Sequence, residues 1–410
     1  MREMNNAQKH ALPTICTLDD ACCGCGACSA TCPKRCIELD ADAAGFKYPV
    51  VDIDTCVRCG RCDSVCPALN REKRVDPLRA FWAKSKNEDE LKRSSSGGVF
   101  ALLARAVLAD GGVVAGAAWG EGCRTLRHIV IDDVANLDSI MRSKYVQSSV
   151  ESDVYEALHE ALRSSKPALF VGTACQVAGM RRFLGDLAMS DLFLSVDVIC
   201  HGAPSPALWH RWLDFCERNE EMEISDVNFR SKITGWSSFS VLYKYKTEKE
   251  DTSNFSANLF TEDWYMRAFL SNASLRPACF QCPAKLSCGS DATLGDFWGI
   301  QSAHPEVSAE DGVSVVLANT SKGIAALEFI MPHLDYGESS LEKVLPGNSP
   351  LEQPVTPFKE RDVFIAAVVE GTSVSEMMSR YDFKPRFVER VRGKLGSVKR
   401  AMKEKLVGQP

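Results

Sequence analysis

The sequence predicts an α/β protein in two parts: a small N-terminal α+β unit and a larger mixed α/β body that contains an antiparallel insertion. Three observations predict this architecture. A cysteine motif occurs twice within residues 1–70, helix and strand patterns alternate over most of the remaining chain, and a stretch of β-branched and aromatic residues interrupts them. With 410 residues the chain is longer than one ordinary domain, which also favours two or three folding units.

The repeated motif is C-x2-C-x2-C-x3-C-P, the spacing of bacterial two-cluster ferredoxins. In that arrangement three thiolates of one copy bind a 4Fe-4S cluster, and the fourth, which precedes a proline, binds the other cluster. Disulfides or a four-cysteine zinc site are the alternatives, and neither explains a duplicated spacing with both prolines. The predicted ligands are Cys22, Cys25, Cys28 and Cys66 for the first cluster, and Cys56, Cys59, Cys62 and Cys32 for the second. Cys16, Cys23 and Cys36 fall outside the pattern and are predicted spectators.

The composition indicates in which cellular compartment the protein lies and which class of partner is disfavoured. The 18 cysteines cluster at metal-ligand spacings, and residues 1–13 lack the apolar run of a signal peptide, so we expect a cytoplasmic protein. The most apolar stretch, residues 99–119, contains charges and a glycine pair, which predicts no transmembrane segment. A net charge of -6 argues against nucleic-acid binding, because phosphate contacts need a basic face.

The body is predicted to begin near residue 79, after a charged linker at residues 70–78. A strand near residue 80 and a helix from residue 99 start an alternation of helices and strands that continues to residue 216. This alternation predicts a mostly parallel sheet. An antiparallel insertion follows, and a strand and a helix after residue 312 add one more α/β pair.

The sequence thus predicts three domains, at residues 1–70, 79–370 and 371–410. The last is a basic helical tail, in which residues 380–405 carry ten Lys or Arg against three acids. A solvated terminal helix is the favoured interpretation, and peripheral contact with a membrane or an acidic partner is the alternative.

Two turns of the body have the composition of an anion site. Residues 94–98, S-S-S-G-G, open a helix, where backbone amides and the helix dipole favour a phosphate, although Ser and Gly also cap ordinary helices. Residues 172–176 form a second small-residue turn at a strand-to-helix junction, the place where α/β sheets bind ligands. Neither turn contains G-x-G-x-x-G, so a standard Rossmann NAD site is unsupported.

Four cysteines at conspicuous turns are candidates for a third 4Fe-4S cluster, with scattered structural thiols as an equal alternative. They are Cys175, Cys200, Cys279 and Cys282. Cys288 is a candidate substitute ligand, whereas Cys123 and Cys216 are predicted to be buried small hydrophobes. His201 either relays a proton or satisfies backbone hydrogen bonds. The sequence names no catalytic residue.

Five motifs follow one another along the chain: S-S-G-G-V-F at 95–100, S-K-Y-V-Q-S at 143–148, G-T-A-C-Q at 172–176, D-V-I-C-H-G-A-P-S-P at 197–206 and T-L-G-D-F-W-G-I at 293–300. Through them the chain resembles the β subunit family of coenzyme F-420 hydrogenases and dehydrogenases, in the form with an N-terminal two-cluster ferredoxin domain. The resemblance covers nearly the whole chain. It departs at Ala174, where family members commonly have proline, a change that frees the backbone before Cys175.

The resemblance implies a bound FAD that exchanges hydride with a deazaflavin coenzyme and single electrons with iron-sulfur clusters, one of them in the body. It also implies a redox partner protein or ferredoxin, and a deazaflavin or other small-molecule acceptor. Carried over residue by residue, it gives the flavin-lining residues as Ser96, Gly97, Gly98, Lys144, Gln147, Gly172 and Thr173. It gives the ligands of the body cluster as Cys175, Cys200, Cys279 and Cys282.

We therefore expect an iron-sulfur flavoprotein oxidoreductase that couples two-electron hydride transfer at FAD to one-electron transfer through 4Fe-4S clusters. Two alternatives remain open. One is a ferredoxin-dependent reductase of a cell-envelope polysaccharide or pigment precursor. The other is a non-catalytic electron-transfer subunit whose substrate site belongs to a partner.

Overall fold

The structure, a computed structural model, describes residues 12–220, 222–247 and 250–384. Its strands are β1 Ile37–Ala41, β2 Lys47–Val51, β3 Arg79–Ser85, β4 Val113–Trp119, β5 Leu126–Ile131, β6 Ala168–Thr173, β7 Phe193–Val198, β8 Met222–Ser231, β9 Ser240–Thr247, β10 Glu250–Leu259, β11 Ala292–Asp296, β12 Ser314–Ala318 and β13 Leu334–Ser339. Its α-helices are α1 Ala27–Ala30, α2 Arg61–Val65, α3 Glu88–Arg93, α4 Val99–Ala109, α5 Leu137–Ile140, α6 Ser152–Arg163, α7 Ala174–Leu184, α8 Pro206–Glu220, α9 Trp264–Leu270, α10 Ile300–Ala303, α11 Ser321–Ile330, α12 Leu341–Val344, α13 Arg361–Glu370 and α14 Val374–Arg380.

The N-terminal unit is the predicted α+β ferredoxin arrangement. Strands β1 and β2 form an antiparallel hairpin in which Ile37 pairs with Val51. Each copy of the cysteine motif contains a one-turn helix, α1 in the first copy and α2 in the second, and both helices follow a glycine in the left-handed conformation. The hairpin and the two helices enclose a small core to which the cysteine side chains contribute.

The body is built on an eight-stranded sheet with the order β13-β3-β12-β11-β7-β6-β4-β5. Only the pairings among β4, β6, β7 and β11 are parallel, and the outer pairings are antiparallel. The expectation of a mostly parallel sheet is therefore wrong, and the sheet is mixed. Parallel neighbours are usually joined by a crossover helix, but in residues 297–313, which connect β11 to β12, the α-helix α10 has a single turn.

Helices cover both faces of this sheet. Because successive strand residues point to opposite faces, Leu169 of β6 packs toward α4 and α11, and Phe170 packs toward α6 and α7. The ferredoxin unit lies on the α7 side, where Cys25 and Ala27 share a core with Val177. The fold thus brings the cysteine repeat against the helix that begins with the motif G-T-A-C-Q.

The predicted antiparallel insertion is confirmed as β8, β9 and β10, in the order β10-β9-β8. It packs on α8, α9 and the C-terminal helices through a core rich in buried aromatics, including Trp209, Tyr243 and Trp264. Helix α14 lies in the described part of the predicted tail, residues 371–384, and α13 precedes it at the end of the predicted body domain. Most of its basic segment, residues 385–410, lies outside the described residues. No helix within the described ranges is long and apolar enough to cross a membrane.

Candidate iron-sulfur centre

Each predicted ligand set of the ferredoxin unit lines one cavity. The two sets are Cys22, Cys25, Cys28 and Cys66 around the inner cavity, and Cys32, Cys56, Cys59 and Cys62 around the outer cavity. The fourth cysteine of each copy therefore lies with the first three of the other copy, as expected for two crossed clusters. Among the residues that the structure describes, no three Cys, His, Asp or Glu side chains converge as they would around one metal ion. A 4Fe-4S cluster does not need such convergence, because each of its four irons binds one thiolate and the thiolates surround the cluster.

The two cavities differ in exposure. All four predicted ligands at the inner cavity are buried, whereas Cys32, Cys56 and Cys59 at the outer cavity are partly exposed. The inner cavity faces the body, since Cys25 packs against α7. The ferredoxin unit thus has one site inside the protein and one at its surface.

The four body cysteines come from separate elements and meet at one place. Cys175 begins α7, Cys200 follows β7, and the other two lie in and directly after the short 3-10 helix Pro277–Gln281. Strands β6 and β7 are parallel, so their carboxyl ends lie at the same edge of the sheet and bring Cys175 near Cys200. Burial raises the pKa of the Cys200 thiol, and its three predicted co-ligands raise it further, whereas Lys285 lowers it. The structure thus brings together four cysteines that their spacing in the sequence could not assign to one site.

This body site adjoins the inner cavity directly. The Cys23 thiol lies close enough to those of Cys175 and Cys25 for the three to shift one another's pKa. Gly179 permits the approach of α7, because a Cβ there would lie 2.9 Å from Cys25 Sγ. Tyr155 Oη donates a hydrogen bond to the Cys25 carbonyl at 2.7 Å.

Two of the predicted spectator cysteines are therefore not remote from the candidate ligands. Cys23 lies between the inner cavity and the body site. Cys36 lines the outer cavity, and its Sγ lies 3.4 Å from Cys32 Sγ. The repeat spacing could not reveal this, because the contacts depend on how the loops fold back. Cys16 lies near Cys56, since the latter contributes to the raised pKa of Cys16, after burial and Asp63.

A buried arginine joins the two parts of the protein at this junction. Arg276 is 1% exposed. It donates to the carbonyls of Cys22 and Lys47 at 2.6 and 2.9 Å and to Gln147 Oε1 at 3.1 Å, and it lies over the Tyr48 ring. All three acceptors are neutral, and Arg276 forms no ion pair with any carboxylate of the described residues. A buried cation without a carboxylate needs another source of negative charge.

The charge of Arg276 acts on the body thiols. Burial, followed by nearby thiols, raises the pKa of Cys279, and Arg276 opposes that rise. The net pKa is about 12. Hydrogen bonding with Cys23, followed by burial, raises the pKa of Cys175, and Arg276 again opposes it. Arg276 therefore stabilises the thiolate form of these two cysteines, which is the form that binds iron.

The predicted flavin residues fall into two groups, and the first follows β3. Gly97 packs so closely on this strand that a Cβ would lie 2.2 Å from the Ala83 carbonyl oxygen, which explains the glycine without a ligand. The Ser96 hydroxyl donates to the Val313 carbonyl at 3.1 Å. Gly98 has a positive φ of 83° and caps α4 without a side-chain hydrogen bond, so the first amides of α4 have no side-chain partner there.

The second group lies nearer the body cysteines. Gln147 Nε2 donates to the Cys23 carbonyl at 3.3 Å, and the Thr173 hydroxyl is 3.3 Å from Cys175 Sγ. Gly172 precedes Thr173 at the end of β6, where a Cβ would crowd the Gln176 side chain. Lys144 Nζ donates to the Met141 carbonyl at 2.6 Å, and burial lowers its pKa to about 7.

The two groups are connected by one hydrogen bond, from the Ser143 amide to the Ser95 hydroxyl at 2.8 Å. Both groups lie toward the edge of the sheet where β3, β6 and β11 end, because these strands run in the same direction. That edge is where ligands bind in α/β folds.

The remaining candidates are Cys288, Cys123 and His201. Cys288 is buried beside Asp197 and Ser290, and burial is the main reason that its pKa is raised. Cys123 is buried in the core, as predicted. His201 Nε2 is 2.6 Å from Asn272 Oδ1, which favours its structural interpretation.

Sequence reasoning did not single out Arg276, and it treated Gln176 only as part of a motif. The Gln176 side chain bonds to Thr173 and to the Ser148 hydroxyl, and so fixes the turn that precedes Cys175. A usable signal for Arg276 was its place three residues before the Cys279 and Cys282 pair, where a cation would neutralise bound thiolates.

Comparison with known proteins agrees with these features. Residues 166–339 match the family described as the C terminus of the coenzyme F420 hydrogenase/dehydrogenase beta subunit, and residues 21–70 match the 4Fe-4S dicluster domain. Among solved structures, a xenon derivative of the F420-reducing [NiFe] hydrogenase complex from Methanosarcina barkeri aligns with a TM-score of 0.42 and 17% identity over 75% of this chain and 93% of that chain. A search of curated proteins finds no match.

The resemblance inferred from the five motifs is thereby confirmed. The dicluster match spans both copies of the cysteine repeat, and the family match begins just before β6 and ends with β13. The chain is an iron-sulfur electron-transfer protein related to the beta subunit of coenzyme F420 hydrogenases and dehydrogenases, and residues 166–339 carry that similarity.

Proposed function

We propose that this protein is an iron-sulfur flavoprotein oxidoreductase that couples hydride transfer at FAD to one-electron transfer through three 4Fe-4S clusters. The observation that carries the proposal is that the four body thiols lie together beside the buried inner cavity of the ferredoxin unit. When bound, a flavin exchanges electrons in pairs or singly, and a 4Fe-4S cluster exchanges them singly. Three sites in series would connect the interior of the protein to its surface.

The chain's own contribution to this function is to hold the sites in a fixed order. Cys23 spans the short gap between the body thiols and the inner cavity. Arg276 supplies a buried positive charge between two groups of thiolates and ties the Cys22 loop to the body. Burial of the four inner ligands excludes water from that site, whereas the proposed ligands of the body site and three of those of the outer site are partly exposed.

The residues proposed to line the flavin have properties that fit an anionic cofactor. The first amides of α4 lack a side-chain cap, and Lys144 lies at the same edge of the sheet, where a bound anion would favour its protonated form. Thr173 and Gln147 would lie between the flavin and the cysteines, since both contact the thiol junction. Gly97 would contact the cofactor only through its backbone atoms, because β3 already occupies the space that a side chain would need.

Iron and flavin content after anaerobic purification tests this proposal. We expect about twelve irons per chain together with FAD. About eight irons without flavin would contradict both the third cluster and the flavin. Cys282→Ala should lose about four irons, whereas Cys288→Ala should keep all of them, because Cys288 is not one of the four proposed ligands and is buried beside Asp197 and Ser290.

The choice of electron donor separates the proposal from its rivals. Reduced deazaflavin and reduced ferredoxin are supplied separately to the anaerobic protein, and flavin bleaching is followed. Bleaching by reduced deazaflavin supports the proposal. Bleaching by ferredoxin alone favours the reductase of an envelope precursor, and reduction of clusters with no turnover favours a non-catalytic subunit.

A further inference from the structure

The outer cavity opens among basic side chains. Lys34, Arg58 and Arg61 line it together with the cysteines, and none of the described residues that line it is acidic. Lys34 and Arg61 are exposed. Val57, which also lines the cavity, is an apolar residue with 55% of its surface exposed. We call Lys34, Val57, Arg58 and Arg61 the basic rim.

The basic rim contrasts with the rest of the protein. The chain as a whole carries a net charge of -6. The inner cavity has no charged residue among its described lining residues, and all of its predicted ligands are buried. Positive charge is therefore placed specifically around the one site of the ferredoxin unit whose cysteines reach the surface.

We propose that the basic rim docks an acidic protein that carries one electron at a time. This inference rests on the proposed function, because it makes the outer cluster the point where electrons enter or leave. Opposite charges accelerate the encounter of such partners, and exposed apolar residues surrounded by polar ones are typical of transient interfaces. In the transfer step the outer cluster loses one electron, the carrier gains it, and no bond or proton changes hands.

The chemistry of the rim favours a redox protein over other anionic partners. A nucleic acid or an anionic membrane would also bind basic residues, but neither has a reason to meet the most exposed candidate cluster ligands. The rim also offers Val57 and the partly exposed Cys56 and Cys59 at its centre, where a protein surface can exclude water during transfer.

The test measures electron transfer from the chemically reduced, full-length protein to an oxidised acidic ferredoxin by stopped flow over a range of salt concentrations. Lys34→Glu combined with Arg61→Glu should slow the second-order rate at low salt at least tenfold. The difference should shrink as salt rises, since exposed charges are screened. Lys34→Gln combined with Arg61→Gln should give an intermediate rate at low salt.

Lys166→Glu is the matched control, because Lys166 is exposed on α6's C-terminal connection, away from the ferredoxin cavities, and should leave the rate unchanged. The inference is overturned if the rim variants and this control give equal rates at every salt concentration. It is also overturned if the rim variants lose only binding to anionic phosphatidylglycerol vesicles. Iron content and the rate with cationic methyl viologen are measured in parallel: full iron with no transfer to any acceptor would refute the proposed function itself.

Discussion

Replacing Arg276 with methionine should lower the reduction potential of two of the three proposed clusters. The guanidinium is buried, donates to the Cys22 carbonyl beside the inner cavity, and acts electrostatically on Cys175 and Cys279 of the body site. Each cluster becomes more negative by one charge when it is reduced. A neighbouring cation therefore stabilises the reduced state, and methionine removes that stabilisation while it keeps most of the side-chain volume.

Coulomb's law gives the size of the effect. At an effective dielectric constant of ~20, a unit charge contributes roughly 4 kcal/mol at about 4 Å and roughly 2 kcal/mol at about 8 Å. A one-electron couple shifts by about 59 mV for each 1.4 kcal/mol, so the expected decrease is roughly 90 to 170 mV. Because Arg276 is buried, salt should change this decrease little.

Redox titration followed by EPR spectroscopy measures the three potentials separately. We expect the decrease in the inner and body clusters and little change in the outer one, whose four cysteines line a different cavity. Arg276→Lys keeps the charge and should retain most of the potential, although it cannot make the three hydrogen bonds of the guanidinium. Unchanged potentials in an iron-replete Arg276→Met protein would refute the reasoning. If that variant does not retain its iron, the Arg276→Lys titration alone decides: a decrease as large as that calculated for full loss of the charge would refute it equally.

Two further predictions concern single residues. Cys59→Ala should remove about four irons and stop transfer to protein acceptors while flavin binding persists, and loss of the flavin as well would mean that the outer site is not independent of the flavin site. Burial lowers the pKa of His128 from 6.5 to about 4, so the folded protein binds fewer protons at this residue than the unfolded protein does. The free energy of unfolding should therefore fall as the pH falls from 6.5 to 4. Between pH 6.5 and 5 this costs about 2 kcal/mol. His128→Phe should abolish that part of the pH dependence in anaerobic denaturation, and an unchanged slope would contradict it.

Local spacing explains why the ferredoxin unit could be predicted from sequence. Its ligand pattern is set within a few residues, and the crossing of the fourth cysteine follows from the proline after it. The body elements were recognisable for the same reason, since apolar periodicity is a property of short windows. The mixed sheet could not be derived in this way, because the antiparallel pairings of β12 and β13 with β3 join strands that are more than 200 residues apart in the sequence.

The junction between the two parts lay beyond the reach of local patterns. The hydrogen bond from Arg276 to the Cys22 carbonyl joins residues 254 positions apart. The contact between Cys23 and Cys175 likewise depends on how the ferredoxin loop packs on α7. Gly97 illustrates the opposite case: its motif suggested a phosphate site, and its close packing on Ala83 is sufficient reason for a glycine there.

These contacts imply that the ferredoxin unit is a structural part of the body site and not a tethered module. Its first loop contributes the Cys23 thiol and the Cys22 carbonyl to the junction, and Arg276 and Gln147 hold that loop from the other side. The connecting segment is also fixed to the body, since the Val75 amide donates to the Leu286 carbonyl at 2.9 Å. One-electron transfer between sites falls steeply with distance, so a rigid junction of this kind keeps the transfer distance constant. The body site would therefore lose both a bordering thiol and the hydrogen-bond acceptors of its buried cation if the ferredoxin unit were removed.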